Sequence, residues 1–286
     1  MLDYFQDGTG YEKAPDPEAP ASGGRDVGTL VHAGVEAYYR GLDPLRPISE
    51  AHAEMSREAA ASDTPLAPAW EDAFNLARIM VQGYVEWVAA EGADVGEETV
   101  GTEIPLESEI GVFEGDLVIV TGKLDRLVRD TVTGEYIIED TKTVQAFDDL
   151  RWLRVADQLL TYNVLLRLQE VPIKANRARH NQIRKVKRTA AAKPPFYNRV
   201  EHPFNDVQVQ NYWAGLVETL REMVRTIQAI EADPEAHHAY APPTATRDCT
   251  WRCSFLELCP MMSDGSHWRS ALTDLYTPRP KREDAA

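Results

Sequence analysis

Two β-rich runs joined by a turn constrain the fold of this chain more than any other part of its sequence. The first run ends in the G-x-x-D motif Gly122–Asp125, the letters DTVTG supply the turn, and the second run contains the D-x-K motif Asp140–Lys142. Because side chains alternate along a strand, Asp140 and Lys142 share one face of the sheet while Glu139 points to the other. The pattern predicts a hairpin that gathers two carboxylates and an ammonium in one pocket.

The residue types in this pocket are those that metal-dependent phosphodiester hydrolysis requires. Carboxylates supply the oxygen ligands that Mg²⁺ or Mn²⁺ prefers, so Asp125 and Asp140 are candidate metal ligands. Such a cation activates a water molecule as the nucleophile, and Lys142 suits either positioning that water or stabilising the charge that develops on phosphorus. The D-x-K triplet alone is common, so a surface hairpin with ordinary charges is the alternative interpretation.

Helical periodicity flanks this strand-rich region on both sides. Apolar residues recur at three- and four-residue spacing in residues 28–41, 68–91, 148–168 and about 206–231. His32 lies near the start of the first of these helices, where a lone histidine is usually a packing or capping residue. Strands between Thr99 and Thr143 with helices on either side predict an α/β fold with a small sheet.

Charge is unevenly distributed along the chain. A net charge of −16 argues against a protein that coats nucleic acid non-specifically. Residues 151–200, however, hold twelve Lys and Arg residues against only Asp157 and Glu170. One basic face in an acidic chain is expected where a single surface meets phosphate, and the alternative is a solvated basic surface without a ligand. The candidate DNA contacts in this segment are Arg184, Lys185, Lys187 and Arg188.

The two ends of the chain have the composition of less ordered segments. Residues 1–24 are rich in Pro, Gly, Ala and acidic residues, and residues 271–286 form a charged tail that contains proline. The amino terminus lacks the basic start and apolar run of a secretory signal, and no stretch approaches the roughly 18 apolar residues of a membrane span. We therefore expect a cytoplasmic protein with a core at residues 25–245 and a Cys-containing segment at 246–270.

All three cysteines lie in that short segment. Cys249, Cys253 and Cys259 are spaced C-x3-C-x5-C. Clustered cysteines in a cytoplasmic chain indicate metal ligation rather than a disulfide framework. Zinc held by the three thiolates and His267 is one interpretation, and a segment that packs without a metal is another.

Taken in order, the motifs resemble those of a known enzyme family. They are G-x-x-x-H (Gly28–His32), an isolated acid (Glu103), G-x-x-D (Gly122–Asp125), D-x-K (Asp140–Lys142) and Q-x-x-x-Y (Gln158–Tyr162). This set resembles the RecB-type branch of the PD-(D/E)XK nucleases, which includes nuclease domains of bacterial recombination enzymes, CRISPR adaptation exonucleases and their phage-encoded relatives. The resemblance spans residues 25–260, and the ordered set is far more specific than any single motif.

The resemblance implies a restriction-endonuclease-like α/β core, in which helices flank a small mixed sheet and the Cys-containing segment packs on it. The implied metal ligands are His32, Asp125, Asp140 and the backbone carbonyl of Thr141. Lys142 and the three side-chain ligands would form the catalytic set, with Mg²⁺ or Mn²⁺ as the cofactor.

Other residues are implicated less directly by the same resemblance. Glu103 is a weaker candidate ligand, because an exposed strand acid is an equally good interpretation. Gln158 and Tyr162 would lie on the helix after the active strand, near the DNA strand.

Members of this branch often carry an iron–sulfur cluster held by one cysteine upstream of the histidine motif and three near the carboxy terminus. The chain supplies the three and lacks the first. A cluster would therefore need a non-cysteine fourth ligand or a shortened upstream segment. Cluster, zinc and absence of metal stay open as alternatives.

The implied activity is that of a metal-dependent DNA exonuclease acting on DNA ends or single strands in recombination, repair or replication, in a bacterial or phage-infected cell. Aromatic residues near the basic segment suit either base stacking or core packing, namely Trp152, Tyr162, Phe196 and Tyr197. One alternative is a non-catalytic DNA-binding recombination partner that retains the fold, against which the intact acidic and lysine motifs count. Another is a sequence-specific endonuclease, for which no separate recognition domain is visible, and RNA is an alternative substrate.

Overall fold

A computed structural model describes residues 11–13, 23–61, 66, 68–154, 156–233, 237–240, 246–247 and 249–278. In chain order its elements are β1 (Tyr11–Lys13), α1 (Gly23–Tyr39), α2 (Arg46–Ala61), α3 (Pro68–Glu91), β2 (Glu97–Phe113), β3 (Asp116–Asp130), β4 (Tyr136–Val144), α4 (Leu150–Leu153), α5 (Asp157–Leu168), β5 (Ala175–Arg184), β6 (Tyr197–Pro203), α6 (Asp206–Ala232), α7 (His237–Tyr240), α8 (Cys249–Arg252), α9 (Leu258–Asp264), α10 (Trp268–Leu275) and β7 (Tyr276–Pro278). The chain divides into two units, Pro20–Thr219 and Met1–Ala19 with Leu220–Ala286.

Five strands form the sheet of the larger unit, in the order β2-β3-β4-β5-β6. Strands β4 and β5 are parallel, and the other three neighbouring pairs are antiparallel. Parallel neighbours cannot be joined by a tight turn, and here the chain crosses over through α4 and α5. The result is a small mixed sheet whose parallel pair includes the strand that carries the D-x-K motif.

Helices cover both faces of this sheet. Buried residues of α1, α2 and α3 form one core with Ile183 of β5. Buried residues of α5 form a second core with Ile138 of β4 and Ala178 of β5. Because Ala178 and Ile183 are an odd number of positions apart on one strand, their side chains point to opposite faces. The structure confirms the predicted α/β fold, a small mixed sheet flanked by helices.

The prediction of one continuous helix over residues 148–168 is wrong. Helix α4 ends at Leu153, and Ala156, just before α5, has an extended backbone with φ −69° and ψ 126°. Tertiary contacts account for the break, because Leu153 is buried and the backbone N–H of Asp148 donates to Gln182 Oε1 at 2.8 Å. These contacts hold residues 148–153 against β5 and override the helical periodicity of the sequence.

Two elements of the larger unit have no counterpart in the sequence prediction. The helix α2 carries a detectable signal, since Ile48, Ala51 and Met55 follow the three- and four-residue spacing of a buried helical face. The strand β6 lies just before the helix predicted at about residues 206–231, in a stretch for which the sequence pattern predicts no strand. Pairing with β5 from Arg177↔Pro203 to Ile183↔Tyr197 makes it a strand, and a pairing partner is not visible in local sequence.

The smaller unit is built from short elements. Strands β1 and β7 pair in antiparallel fashion. Phe255, Leu258 and Tyr276 form its core, and Cys253 packs against them. The expectation that the Cys-containing segment packs on the nuclease core stays a prediction, as do the boundaries at residues 25, 246 and 271. Among the described residues, no helix combines the length and the apolar character that crossing a membrane requires.

Candidate active site

Strands β3 and β4 separate at the centre of the candidate site, and we call the opening between them the fork. The ladder between these strands runs from Arg129↔Tyr136 to Arg126↔Glu139 and ends there. Beyond that rung, β3 remains paired with β2 and β4 remains paired with β5. Asp125 is the next residue on one strand and Asp140 the next on the other, so the two predicted carboxylates lie on opposite sides of the opening.

Asp125 is held in the fork from two sides. The backbone N–H of Thr141 donates to Asp125 Oδ2 at 2.7 Å. His32 on α1 places Nδ1 at 3.5 Å from the same oxygen. Burial raises the pKa of Asp125, and the nearby His32 and the bond from Thr141 act in the opposite direction. The structure therefore brings the G-x-x-x-H histidine to the G-x-x-D acid, which lie far apart in sequence.

Glu103 completes a group of three possible ligands. Its carboxylate lies with Asp125 Oδ and an imidazole nitrogen of His32 so that all three atoms are within 4.8 Å of one another. The β2–β3 register, Thr102↔Arg126 and Ile104↔Leu124, puts Glu103 opposite Asp125. Its backbone is left-handed at φ 49°, which non-glycine residues rarely adopt and which concentrates at functional sites. No sequence motif could have predicted this conformation.

Asp140 is a buried carboxylate with little to satisfy it. It is 1% exposed, and Lys142 Nζ lies 3.0 Å from Oδ1. Lys142 is thus the one partner of Oδ1, and Oδ2 accepts a hydrogen bond from no residue that the structure describes. Burial raises the pKa of Asp140 to about 7, with Lys142 lowering it and Asp125 raising it further. A buried carboxylate without donors has oxygen lone pairs available for a cation.

These donors fit a hard divalent cation. Carboxylate oxygens dominate the set, an imidazole is compatible with it, and the Thr141 carbonyl lies on the edge of β4 from which β3 has departed. Within the described residues, His32, Glu103 and Asp125 are the one group of three ligand atoms at such close spacing, and Asp140 is not part of it. A small cavity beside the trio is bordered by Tyr39 and Arg126.

Comparison with known proteins gives the family of this site. The sequence profile of the PD-(D/E)XK nuclease superfamily matches residues 4–260. The chain belongs to the PD-(D/E)XK nuclease superfamily. It is thus a nuclease by family, a hydrolase that acts on nucleic acid, and nucleases of this superfamily usually use a divalent metal ion.

Two solved structures are distantly similar to this PD-(D/E)XK chain. A protein named SSO0001 shares 16% identity over 68% of this chain and 75% of its own, with a TM-score of 0.33. A protein from Eubacterium rectale, provisionally described as an exonuclease, shares 12% identity over 73% of this chain and 68% of its own, with a TM-score of 0.39. No curated protein matches the sequence.

The Q-x-x-x-Y motif of this PD-(D/E)XK chain lies on α5, against the active strands. Gln158 Nε2 donates to the Tyr162 hydroxyl at 2.9 Å. A Cβ atom on Gly122 would lie 3.0 Å from the Tyr162 ring, so the glycine of the G-x-x-D motif lets α5 approach β3. Burial raises the pKa of Tyr162, and the negative charges of Asp140 and Asp125 add to this shift, which places its hydroxyl within reach of their field.

The basic residues within 184–188 begin at the same edge of the sheet. In the parallel pair, Lys142 is opposite Gln182, and Val144 is opposite Arg184. Most of the predicted DNA contacts already have intramolecular partners. Arg184 donates to the carbonyl of Pro195, Lys187 Nζ lies 2.7 Å from Asp72, and Arg188 donates to Glu86 and to the Tyr197 hydroxyl. Their role as phosphate contacts stays a prediction.

The three cysteines of the smaller unit are free thiols, each partly exposed. Cys249 accepts a hydrogen bond from the backbone N–H of Thr246, with a distance of 3.4 Å. Burial raises the pKa of Cys253, and the charges of Cys249 and Cys259 contribute in the same direction. The described residues show no group that unites these three thiols at the spacing of a single metal ion, with or without His267.

Proposed function

We propose that the chain is a Mg²⁺- or Mn²⁺-dependent DNA exonuclease that acts on DNA ends or single strands. The single observation that carries the proposal is the fork. The buried Asp140 carboxylate and the Lys142 ammonium lie on one side of it, and the group formed by His32, Glu103 and Asp125 lies on the other. The proposed ligands are His32, Asp125, Asp140 and the Thr141 carbonyl, with Glu103 in support. When bound, the cation supplies Lewis-acid stabilisation of the phosphate and lowers the pKa of a bound water.

The protein groups divide the remaining work. The Thr141 N–H and His32 both contact Oδ2 of Asp125 and orient its carboxylate, so the position of the other oxygen, Oδ1, is also fixed. Lys142 lies beside Asp140 and is 41% exposed, so its ammonium can meet both the buried carboxylate and a phosphate arriving from solvent. In that position it orients the attacking water or stabilises negative charge on the phosphoryl oxygens.

The substrate strand is proposed to run along the edge that α5 and the basic segment share. Gln158 donates to the Tyr162 hydroxyl, the charges of Asp140 and Asp125 raise the pKa of Tyr162, and the basic residues within 184–188 start where β4 and β5 end. Trp152 in α4 is 63% exposed and offers a stacking surface for an unpaired base, whereas Tyr197 is buried. We place this activity in DNA recombination, repair or replication in the cytoplasm of a bacterial or phage-infected cell.

For the smaller unit, we propose that Cys249, Cys253 and Cys259 hold an iron–sulfur cluster whose fourth ligand comes from elsewhere. Thiolates are the usual ligands of such clusters, and the three thiols lie in one short, partly exposed segment. Zinc with His267 as the fourth ligand is the competing assignment.

The test of the nuclease proposal uses labelled DNA and carboxylate variants. We expect wild-type protein to degrade linear single- or double-stranded DNA with Mg²⁺ or Mn²⁺ and to lose activity in EDTA. Asp140→Asn and Asp125→Asn should each lower the rate by at least about a thousandfold, as removal of groups at the reacting centre does, while both variants keep the circular dichroism spectrum of the native fold. Glu98→Gln, at a half-exposed strand carboxylate paired with Arg129, serves as the matched control and should retain full activity.

A closed circular single strand separates exonuclease from endonuclease action. An exonuclease leaves the circle intact and digests its linear form, whereas cleavage of both forms would contradict the exonuclease assignment. Undiminished cleavage by either Asp variant would contradict the proposed site.

A further inference from the structure

Glu139 is a fully buried carboxylate surrounded by three guanidinium groups. It is 0% exposed, and its carboxylate lies 3.1 Å from Arg126 Nη1 and 3.0 Å from Arg179 Nη1. Arg199 Nε lies 4.0 Å away. Replacing a buried ion pair with apolar residues of similar volume is often neutral or stabilising, so stability alone does not explain such a cluster.

The ion pairs form a row across four neighbouring strands. Arg126 is opposite Glu139, Glu139 is opposite Arg179, and Arg179 is opposite Glu201. Charge therefore alternates from β3 through β4 and β5 to β6, and each neighbouring pair makes an ion pair. The row crosses the sheet on the face opposite Asp140, because Glu139 and Asp140 are successive residues of one strand.

This row lies directly behind the fork. Arg126↔Glu139 is the last rung of the β3–β4 ladder. Asp125 precedes Arg126 in the chain, and Asp140 follows Glu139, so each member of the rung is bonded to one of the two carboxylate residues. This ion pair therefore links the two strands at the rung next to the mouth of the fork.

Helix α1, which carries the proposed ligand His32, also contacts this row. The guanidinium of Arg126 lies over the ring of Tyr39, 3.6 Å from its centroid. Tyr39 is two turns after His32 on α1, on the same side of the helix. Arg126 thus contacts both the strand that precedes Asp140 and the helix that carries His32.

We propose that Glu139 is a positioning residue, which through Arg126 fixes the spacing of Asp125, Asp140 and His32 for the metal ion. This inference rests on the proposed metal-dependent function and extends it to a residue outside the site. Its expected effect is on the affinity for the cation, through the spacing of the ligands.

The test measures Mn²⁺ binding directly, with no nuclease assay. Mn²⁺ is titrated into the metal-free full chain, and the free ion is followed by electron paramagnetic resonance. Glu139→Gln keeps the shape of the side chain and removes its charge, and it should weaken Mn²⁺ affinity about 10- to 100-fold, the usual cost of losing a residue that orients metal ligands. Glu201→Gln is the matched control, because it makes the same change in the same row but two strands away from the fork, and it should leave the affinity within about twofold, since it orients no ligand.

A second variant at Glu139 distinguishes an effect on metal binding from a failure to fold. Glu139→Asp keeps the charge and shortens the reach to Arg126, so we expect weaker Mn²⁺ binding with native circular dichroism. The inference is overturned if a folded Glu139 variant binds Mn²⁺ as tightly as wild type, or if Glu201→Gln weakens binding equally. It is also overturned if neither Glu139 variant folds, because the ion pair then serves folding. Wild-type protein that binds no Mn²⁺ would instead overturn the proposed function on which the inference rests.

Discussion

Asp140 shows how one buried side chain couples metal binding, protonation and stability. Its carboxylate has been removed from water without gaining hydrogen-bond donors, apart from the approach of the Lys142 ammonium. A carboxylate in that position is costly to ionise unless a cation arrives. The D-x-K motif predicted the residue and its lysine from strand alternation alone. Its burial could not be predicted, because the covering residues come from distant parts of the chain.

Metal-free protein should therefore lose stability as pH rises from about 4 to about 7. The pKa of Asp140 is raised to about 7 in the fold, above the value of about 3.9 expected for an unfolded chain. Between these values the folded state binds more protons than the unfolded state, so the contribution of Asp140 is full below pH 4 and is lost by pH 7. Each unit of pKa difference corresponds to roughly 1.4 kcal/mol.

Urea unfolding in EDTA checks this expectation. Between pH 5 and pH 8, the free energy of unfolding of wild-type protein should fall by more than that of Asp140→Asn, whose amide does not titrate. Added Mn²⁺ should remove much of the loss, since the cation replaces the proton. Parallel pH profiles for wild type and variant would show that Asp140 is already ionised in the metal-free fold.

At the scale of elements, the connection between β4 and α5 combines fixed backbone with exposed side chains. Leu153 is buried, the Asp148 N–H is bonded to Gln182, and Trp152 nevertheless is 63% exposed. This connection follows Lys142 by a few residues and precedes Gln158. The sequence predicted helix here because the apolar spacing is helical, whereas contacts with β5 break it into two pieces.

Trp152→Ala should weaken binding of single-stranded DNA without changing the fold. Loss of one stacked base costs about 1–3 kcal/mol of binding free energy. An exposed side chain contributes little to unfolding stability, so the melting temperature should stay close to that of wild type. Fluorescence anisotropy with a labelled oligonucleotide, in EDTA to prevent cleavage, measures the effect.

Trp152→Phe is the matched variant, since it keeps an aromatic face and should restore most of the affinity. A Trp152→Ala protein that binds single strands like wild type would show that the DNA passes elsewhere. Equal loss in the Phe and Ala variants would contradict stacking as the cause.

At the scale of the whole molecule, the sequence predicted the elements of the larger unit that carry the motifs. It did not predict the elements and contacts that complete the sheet of that unit. Strands β3 and β4 and helices α1, α3, α5 and α6 carry local signals, either periodicity or motif residues. The strand β6, the pairing order of the sheet and the charged row behind the fork depend on contacts between residues distant in sequence. Glu139 illustrates the limit, because alternation predicts the face to which it points and says nothing of the three arginines that meet there.

The predicted iron–sulfur cluster of the smaller unit has the least support from local sequence, because three cysteines do not specify the fourth ligand. We expect protein purified without oxygen to contain iron and acid-labile sulfide, with broad visible absorption from sulfur-to-iron charge transfer. Cys253→Ser should lower the iron content and the melting temperature, because thiolate ligation contributes to folding stability. Ser263→Ala, whose hydroxyl donates to the Cys259 carbonyl at 3.2 Å, is the control that changes the same segment without removing a thiol. Stoichiometric zinc without sulfide would favour the assignment with His267, and protein with neither metal would contradict metal binding by this segment.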